Sequence, residues 1–246
     1  MYCNFSEMIN AIRKNASKKV VAVAAAHDHE VLECAVEAKK EQLADFILIG
    51  ETEKMKEILT SLGEDPDSWN MIEEPNDTKA AIKAVELASE KRVDALMKGL
   101  LHTSVFLRAL FNKEYGLIPP KALVSQVTVT EYPAQNRLVL ITDCAVNVEP
   151  TYAEKVQILN NAVSLAHRLG NDCPNVACIT AVEVVNEKMS ETIDAAMLSK
   201  ANERGQLKGC LVDGPLALDN ALSAEAAAAK SINSPVAGHA DILLMP

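Results

Sequence analysis

Ala95-Leu-Met-Lys-Gly-Leu-Leu-His-Thr-Ser-Val-Phe-Leu-Arg-Ala-Leu110 reads as a short buried strand, Ala95 to Met97, a turn at Lys98-Gly99, and a helix from about Val105 to Asn112. Thr103 and Ser104 stand where a hydroxyl N-cap belongs, accepting hydrogen bonds from the first helical amides. Those amides and the positive end of the helix dipole attract anions. Arg108 lies one turn inside, and helical side chains lean toward the N-terminus, so its guanidinium is expected at that mouth. Lys98 approaches from the strand end. The expectation is a phosphate cradle of Lys98, Thr103, Ser104 and Arg108. The alternative is a routinely capped helix whose Arg108 pairs with a surface carboxylate such as Glu114. Position favours the cradle, because ligands of a parallel α/β sheet collect at the carboxyl ends of its strands.

The chain before this stretch repeats the same strand-and-helix unit. Ser6 is expected to cap a helix through Lys14. Val20 to Ala26 is a continuous apolar run, as a strand buried on both faces should be. A helix from Glu30 to Gln42, a strand at Phe46 to Ile49, a helix stopped by Gly63 and a weak strand at Asn70 to Ile72 follow. Asn76-Asp77 caps the helix that leads into the opening strand. This alternation means a parallel sheet with helices on both faces.

Leu117-Ile-Pro-Pro-Lys121 breaks the rhythm and marks a hinge, dividing the chain into α/β domains at 1–120 and 121–246. Ala122 to Val129 and Leu138 to Thr142 are successive strands without an intervening helix, so they are expected to pair antiparallel. Thr151-Tyr-Ala-Glu154 is a capping box opening a long helix that Gly170 ends. Strands at Val176 to Ala181, Gly209 to Val212 and Ala240 to Met245 alternate with helices at Glu191 to Arg204 and Ala224 to Ala229.

Composition narrows the function. The 246 residues are 49% apolar with a formal charge of −10, which argues against nucleic acid or an anionic membrane as partner. An anionic small molecule would therefore need local cations. The six cysteines form no CxxC pair and read as free thiols of a reduced, cytoplasmic compartment. Cys173 and Cys178 lack a histidine at ligand spacing, so no metal is expected. No stretch is long and apolar enough to span a membrane.

Polar clusters follow the second-domain strands: Thr142-Asp143 with Asn147; Glu183, Asn186 and Lys188; and Asp213-Gly214-Pro215 with Asp219-Asn220. Any one of them can be an Asx turn or a helix cap. Three on a common sheet edge point to a cleft. No Gly-x-Gly-x-x-Gly, Walker, nucleophile-elbow or paired-histidine motif occurs, which leaves chemistry by cradle and positioning.

Six strings together resemble the phosphate acetyl/butyryltransferase family. They are Leu96-Met-Lys-Gly99 with Thr103 to Ala109, Asn112-Lys-Glu-Tyr-Gly116, Thr142-Asp-Cys-Ala-Val-Asn147, Ala181-Val-Glu-Val-Val-Asn186, Gly209 to Ala221, and Ser234-Pro-Val-Ala-Gly238. The resemblance runs from about Val20 to the last residue and is nearest the butyryltransferase branch. It implies two α/β domains with a cleft between them, in the isocitrate/isopropylmalate dehydrogenase-like fold, as a homodimer or higher homo-oligomer. It implies the exchange of an acyl-CoA and phosphate for acyl phosphate and CoA, with no permanently bound cofactor. By the resemblance Arg108 holds phosphate, Lys98, Thr103 and Ser104 line its site, and Asp143, Asn147, Asn186, Lys188, Asp213 and Asp219 form the opposite wall. The alternatives are a phosphate acetyltransferase, an NAD-dependent 2-hydroxy-acid dehydrogenase-like oxidoreductase on the same fold, or a non-catalytic phospholigand or CoA-binding protein. Members of the family continue past the last strand into a segment with a Ser-Arg pair, whereas this sequence stops at Pro246. The corresponding expectation is an incomplete record of a longer enzyme, or a poorly active, aggregation-prone fragment.

Overall fold

A computed structural model describes residues 2–14 and 17–246. Their contacts divide the chain into two units. The first is Ile9–Lys121; the second is Ala122–Pro246 together with the opening residues as far as Met8. The opening residues therefore do not group with the first domain, where the division at 120 placed them. The cause is local bonding: the Phe5 amide donates to Glu131 and the Tyr2 amide to the Leu169 carbonyl. Helix α1 (Phe5–Arg13) is capped by Asn4, whose Oδ1 accepts from the Glu7 amide at 2.9 Å; Ser6 lies inside the helix.

In the first unit, strands β1 (Lys19–Ala24), β2 (Ala44–Gly50), β3 (Asn70–Glu73) and β4 (Ala95–Lys98) form one all-parallel sheet in the order β3-β2-β1-β4. Helices α2 (His29–Lys40) and α3 (Thr52–Ser61) cover one face; α4 (Asp77–Ser89) and α5 (Thr103–Leu110) cover the other. Alternating residues of β1 serve opposite cores. Val23 packs with Leu32, Met55 and Leu59, while Ala22 and Ala24 pack with Ala80, Ala84 and Leu87. A buried leucine such as Leu59 contributes about 1.5–3 kcal/mol. Asp28 caps α2 and Asn76 caps α4, each accepting from an amide three residues on.

The second unit holds β5 (Val127–Tyr132), β6 (Arg137–Thr142), β7 (Asn175–Ile179), β8 (Leu211–Leu216) and β9 (Ile242–Leu244) in the order β5-β6-β9-β7-β8. β5 and β6 are antiparallel and the remaining pairs are parallel. Asn136, at φ 46°, turns the chain between β5 and β6. Residues 122–126 do not join β5 as expected, because side chains take up their backbone: Gln157 accepts from the Leu123 amide, Asn161 donates to the Leu123 carbonyl, Asn147 donates to the Val124 carbonyl, and Asp143 accepts from the Gln126 amide. α6 (Tyr152–Arg168) begins at the Thr151–Glu154 capping box and packs with α7 (Ser190–Glu203) on one sheet face. α8 (Leu218–Leu222) and α9 (Ala224–Ala229) cover the other.

Candidate functional site

In the first unit the chain runs outward from β1 through β2 to β3, then crosses back to place β4 on the other side of β1. The loops after β1 and β4 therefore diverge, the arrangement that opens a ligand crevice in such sheets. The crevice floor is backbone. The Gly99 amide donates to the Ala24 carbonyl at 2.8 Å and the Leu100 amide to the Ala25 carbonyl at 3.1 Å. A Cβ at residue 99 would stand 2.2 Å from the Ala25 carbonyl oxygen, so only glycine permits this approach. Ala25 itself adopts φ 56°, a sparsely populated conformation for alanine and of the kind that clusters at functional sites.

Lys98 ends β4, and its Nζ donates to the Gly99 and Leu101 carbonyls at 3.2 and 2.9 Å. The Gly99 carbonyl also accepts from the Leu101 amide at 2.9 Å, so Lys98 adds a second tie across a closed turn and braces the β4–α5 loop. The helix beyond starts two residues earlier than expected. His102 is its cap residue, with no side-chain capping bond, and Thr103 and Ser104 are its first helical residues. Their hydroxyls are thus not N-caps, and the first-turn amides carry no side-chain acceptor. Both residues are exposed, as an anion mouth requires.

Arg108 is exposed and has no ion-pair or hydrogen-bond partner among the described residues, Glu114 included. It shares the α5 face of Ser104, one turn away, and lines an open cavity of ≈ 490 Å³. Thr78 and Ile82 of α4, with Val105, Phe111 and Lys113, share that lining. The structure thus brings Arg108 together with Lys113 and Thr78, and directs the Lys98 ammonium to its own loop. Lys113 was visible in the Asn112-Lys-Glu-Tyr-Gly116 string only as part of a motif.

The second-unit clusters are internally bonded. Asp143 is buried, with Oδ1 accepting from the Ala145 and Val146 amides and Oδ2 from Gln126 and Asn147. Burial alone would raise its pKa, but the amides of Val146 and Ala145, with Asn147 and Gln126, hold it below the usual carboxylate range. Asn147 also donates to the Val124 carbonyl at 3.0 Å. Asn186 accepts from the Lys188 amide, and its backbone is clasped by the Thr192 hydroxyl. The Lys188 ammonium is exposed and without a partner among the described residues.

Asp213 does not follow a strand; it lies within β8, which runs on through Gly214-Pro215 to Leu216. β8 is an edge strand, where a residue lacking an N–H is tolerated. Asp213 Oδ1 accepts from the Gly214 amide and the Ser199 hydroxyl. Asp219 belongs to α8 and is ion-paired to Lys230, which also bonds Glu183. The Lys230 hydrogen bond is the main reason both carboxylates titrate below their ordinary values. Buried Asn220 donates to Glu183 at 2.8 Å.

One pair escaped the sequence reading. Lys155, on the buried face of α6, bonds Asp194 of α7 at 2.8 Å, with side chains 9% and 22% exposed. Its spacing of three and four residues ahead of Ile158 and Leu159 was the available signal. The neighbouring Cys178 thiol is pushed up to about 12 by burial. Among the described residues no group of histidine, cysteine or carboxylate side chains could hold a metal ion, and no helix is long and apolar enough to cross a membrane.

Residues 68–246 match the family described as phosphate acetyl/butaryl transferase. The chain is 50% identical over 246 residues to a phosphate butyryltransferase of Clostridium acetobutylicum, covering 100% of this chain and 81% of that protein. It is 40% identical over 242 residues to a phosphate acetyltransferase of Thermotoga maritima, covering 98% and 81%. Among solved structures, a branched-chain phosphotransacylase from Enterococcus faecalis superposes with a TM-score of 0.81 at 30% identity, over 93% of this chain and 79% of that one. On the match over residues 68–246 and this extent of identity, the chain belongs to the phosphate acetyl/butyryltransferase family, whose members are acyl-CoA:phosphate acyltransferases.

Proposed function

We propose that the acyl group transferred is short, butyryl or similar, and that phosphate is held at the β4–α5 edge of the first unit. Arg108 supplies the charge-assisted contact, the first-turn amides and hydroxyls of Thr103 and Ser104 supply neutral donors, and Lys98 keeps their loop in place. A phosphate oxygen attacks the thioester carbonyl directly. The carbon–sulfur bond then breaks and the CoA thiolate leaves to take a proton, giving acyl phosphate. No covalent enzyme intermediate is required. The observation that carries this reading is Arg108: an exposed guanidinium with no partner among the described residues, one turn inside a helix whose mouth has no side-chain cap.

In the second unit the internal bonds of Asp143, Asn147, Asn186, Asp213 and Asp219 favour a supporting role for them, leaving Lys188 as the free polar group for acyl-CoA. The same reading includes the isocitrate/isopropylmalate dehydrogenase-like fold, a homodimer, and a cytoplasmic setting supported by six free cysteines. Free-thiol release from acetyl-, butyryl- and branched-chain acyl-CoA, with phosphate as co-substrate, tests the acyl preference. Highest kcat/KM with butyryl-CoA is expected; preference for acetyl-CoA would move the chain to the acetyltransferase branch.

A further inference from the structure

One partly buried imidazole in the first unit has no role in the phosphate cradle as described. His27 follows β1, and its side chain is 15% exposed. Its Nδ1 accepts from the Glu51 amide at 3.3 Å, which leaves the ring proton on Nε2. Gly50 makes the space, since a Cβ there would stand 2.6 Å from Nδ1. Nε2 faces Asp77 Oδ1 at 3.8 Å, an electrostatic contact rather than a hydrogen bond. With both ring nitrogens directed at protein partners, His27 is built for positioning rather than proton transfer.

What it positions is a charge. Asp77 opens α4 and adjoins Thr78, which lines the cavity shared with Arg108. Among the described residues no carboxylate lines that cavity, and the Asp77 side chain is 48% exposed, free to turn if released. We propose that His27 is a positioning residue for the phosphate site: it holds the Asp77 carboxylate at the ends of β1 and β2, and so keeps that negative charge away from the cavity that Arg108 lines. This inference rests on the reading of Arg108 given above.

The test is titration of inorganic phosphate against the melting temperature of the purified chain, which gives an apparent dissociation constant without turnover. His27→Ala is expected to raise that constant about threefold to tenfold, the effect of one partly screened charge at the rim. Adding Asp77→Asn to the same variant should return it to within about twofold of the wild-type value, since coupled sites are not additive. Lost packing alone would not be rescued this way. His27→Gln with the same rescue serves if the alanine variant does not fold. An unchanged constant in the His27 variants, or a raised one that Asp77→Asn fails to restore, overturns the proposal. Arg108→Ala run alongside separates the two ideas. If it too leaves phosphate binding unchanged, the cradle reading falls and His27 with it; if it weakens binding while the His27 variants do not, only the positioning role falls.

Discussion

The two units present the same kind of edge, the carboxyl ends of parallel strands, and fill it in opposite ways. At the end of β4 the polar contacts are backbone–backbone bonds and the Lys98 ammonium on its own loop carbonyls, and the nearby guanidinium of Arg108 is left without a partner among the described residues. At the ends of β6, β7 and β8 the carboxylates of the polar clusters are already partnered: Asp143 takes four hydrogen bonds from neutral donors, and Lys230 joins Glu183 to Asp219. An edge that receives an anion must keep unspent donors, whereas one that shapes long loops can bury carboxylates only with donors already in place. Residue type does not distinguish the two cases. Partnering does.

The largest effect that would sharpen this contrast lies under the second unit's edge. Lys155→Met leaves Asp194 unpaired in a largely buried site and should cost about 3–5 kcal/mol of stability. The double variant Lys155→Met with Asp194→Leu should recover most of that loss, measured by urea unfolding. If the double variant is as unstable as the single one, the pair is not a self-contained structural unit.

Asp143 comes next. Asp143→Asn replaces an acceptor that takes four bonds and should cost about 1–3 kcal/mol at pH 7. Because the folded-state pKa is lowered, this contribution is fully present above the unfolded value of 3.8 and is lost as pH falls through the lower, folded value. The difference between wild type and Asp143→Asn should therefore shrink below about pH 4. A difference that stays constant down to pH 2 would remove the carboxylate from the loop's support.

Much of this was legible in sequence. The apolar run from Val20 marked a strand buried on both faces, the Thr151 capping box marked the start of α6, and two strands without a helix between them marked the β5–β6 hairpin. Strand order was not legible. β9, the last strand in the chain, inserts between β6 and β7, a pairing set by long-range packing rather than by any local pattern. Asp213 was misplaced because Gly214-Pro215 reads as a turn, and only an edge position allows the strand to continue through it. The helix α5 start was misjudged because Thr103-Ser104 has cap chemistry, although the chain enters the helix at His102.

That shift gives the smallest predicted effect on stability. As true caps, Thr103 and Ser104 would each cost about 0.5–2 kcal/mol on replacement by alanine. As first-turn residues with exposed side chains they should change stability by less than about 0.5 kcal/mol, while phosphate affinity falls several-fold. Thermal melting with and without phosphate separates the outcomes, and a cap-sized loss without phosphate would restore the capping role.

The central claim is that the open edge of the first unit is the phosphate site of an acyl transfer. Its most direct test is free-thiol release from butyryl-CoA as phosphate is varied, comparing wild type with Arg108→Ala. Loss of one charge-assisted contact should lower kcat/KM for phosphate by about 10-fold to 150-fold, equivalent to roughly 1.5–3 kcal/mol, with a smaller change in KM for butyryl-CoA. Wild-type kcat and phosphate KM in the Arg108→Ala protein would contradict the account and remove Arg108 from the site.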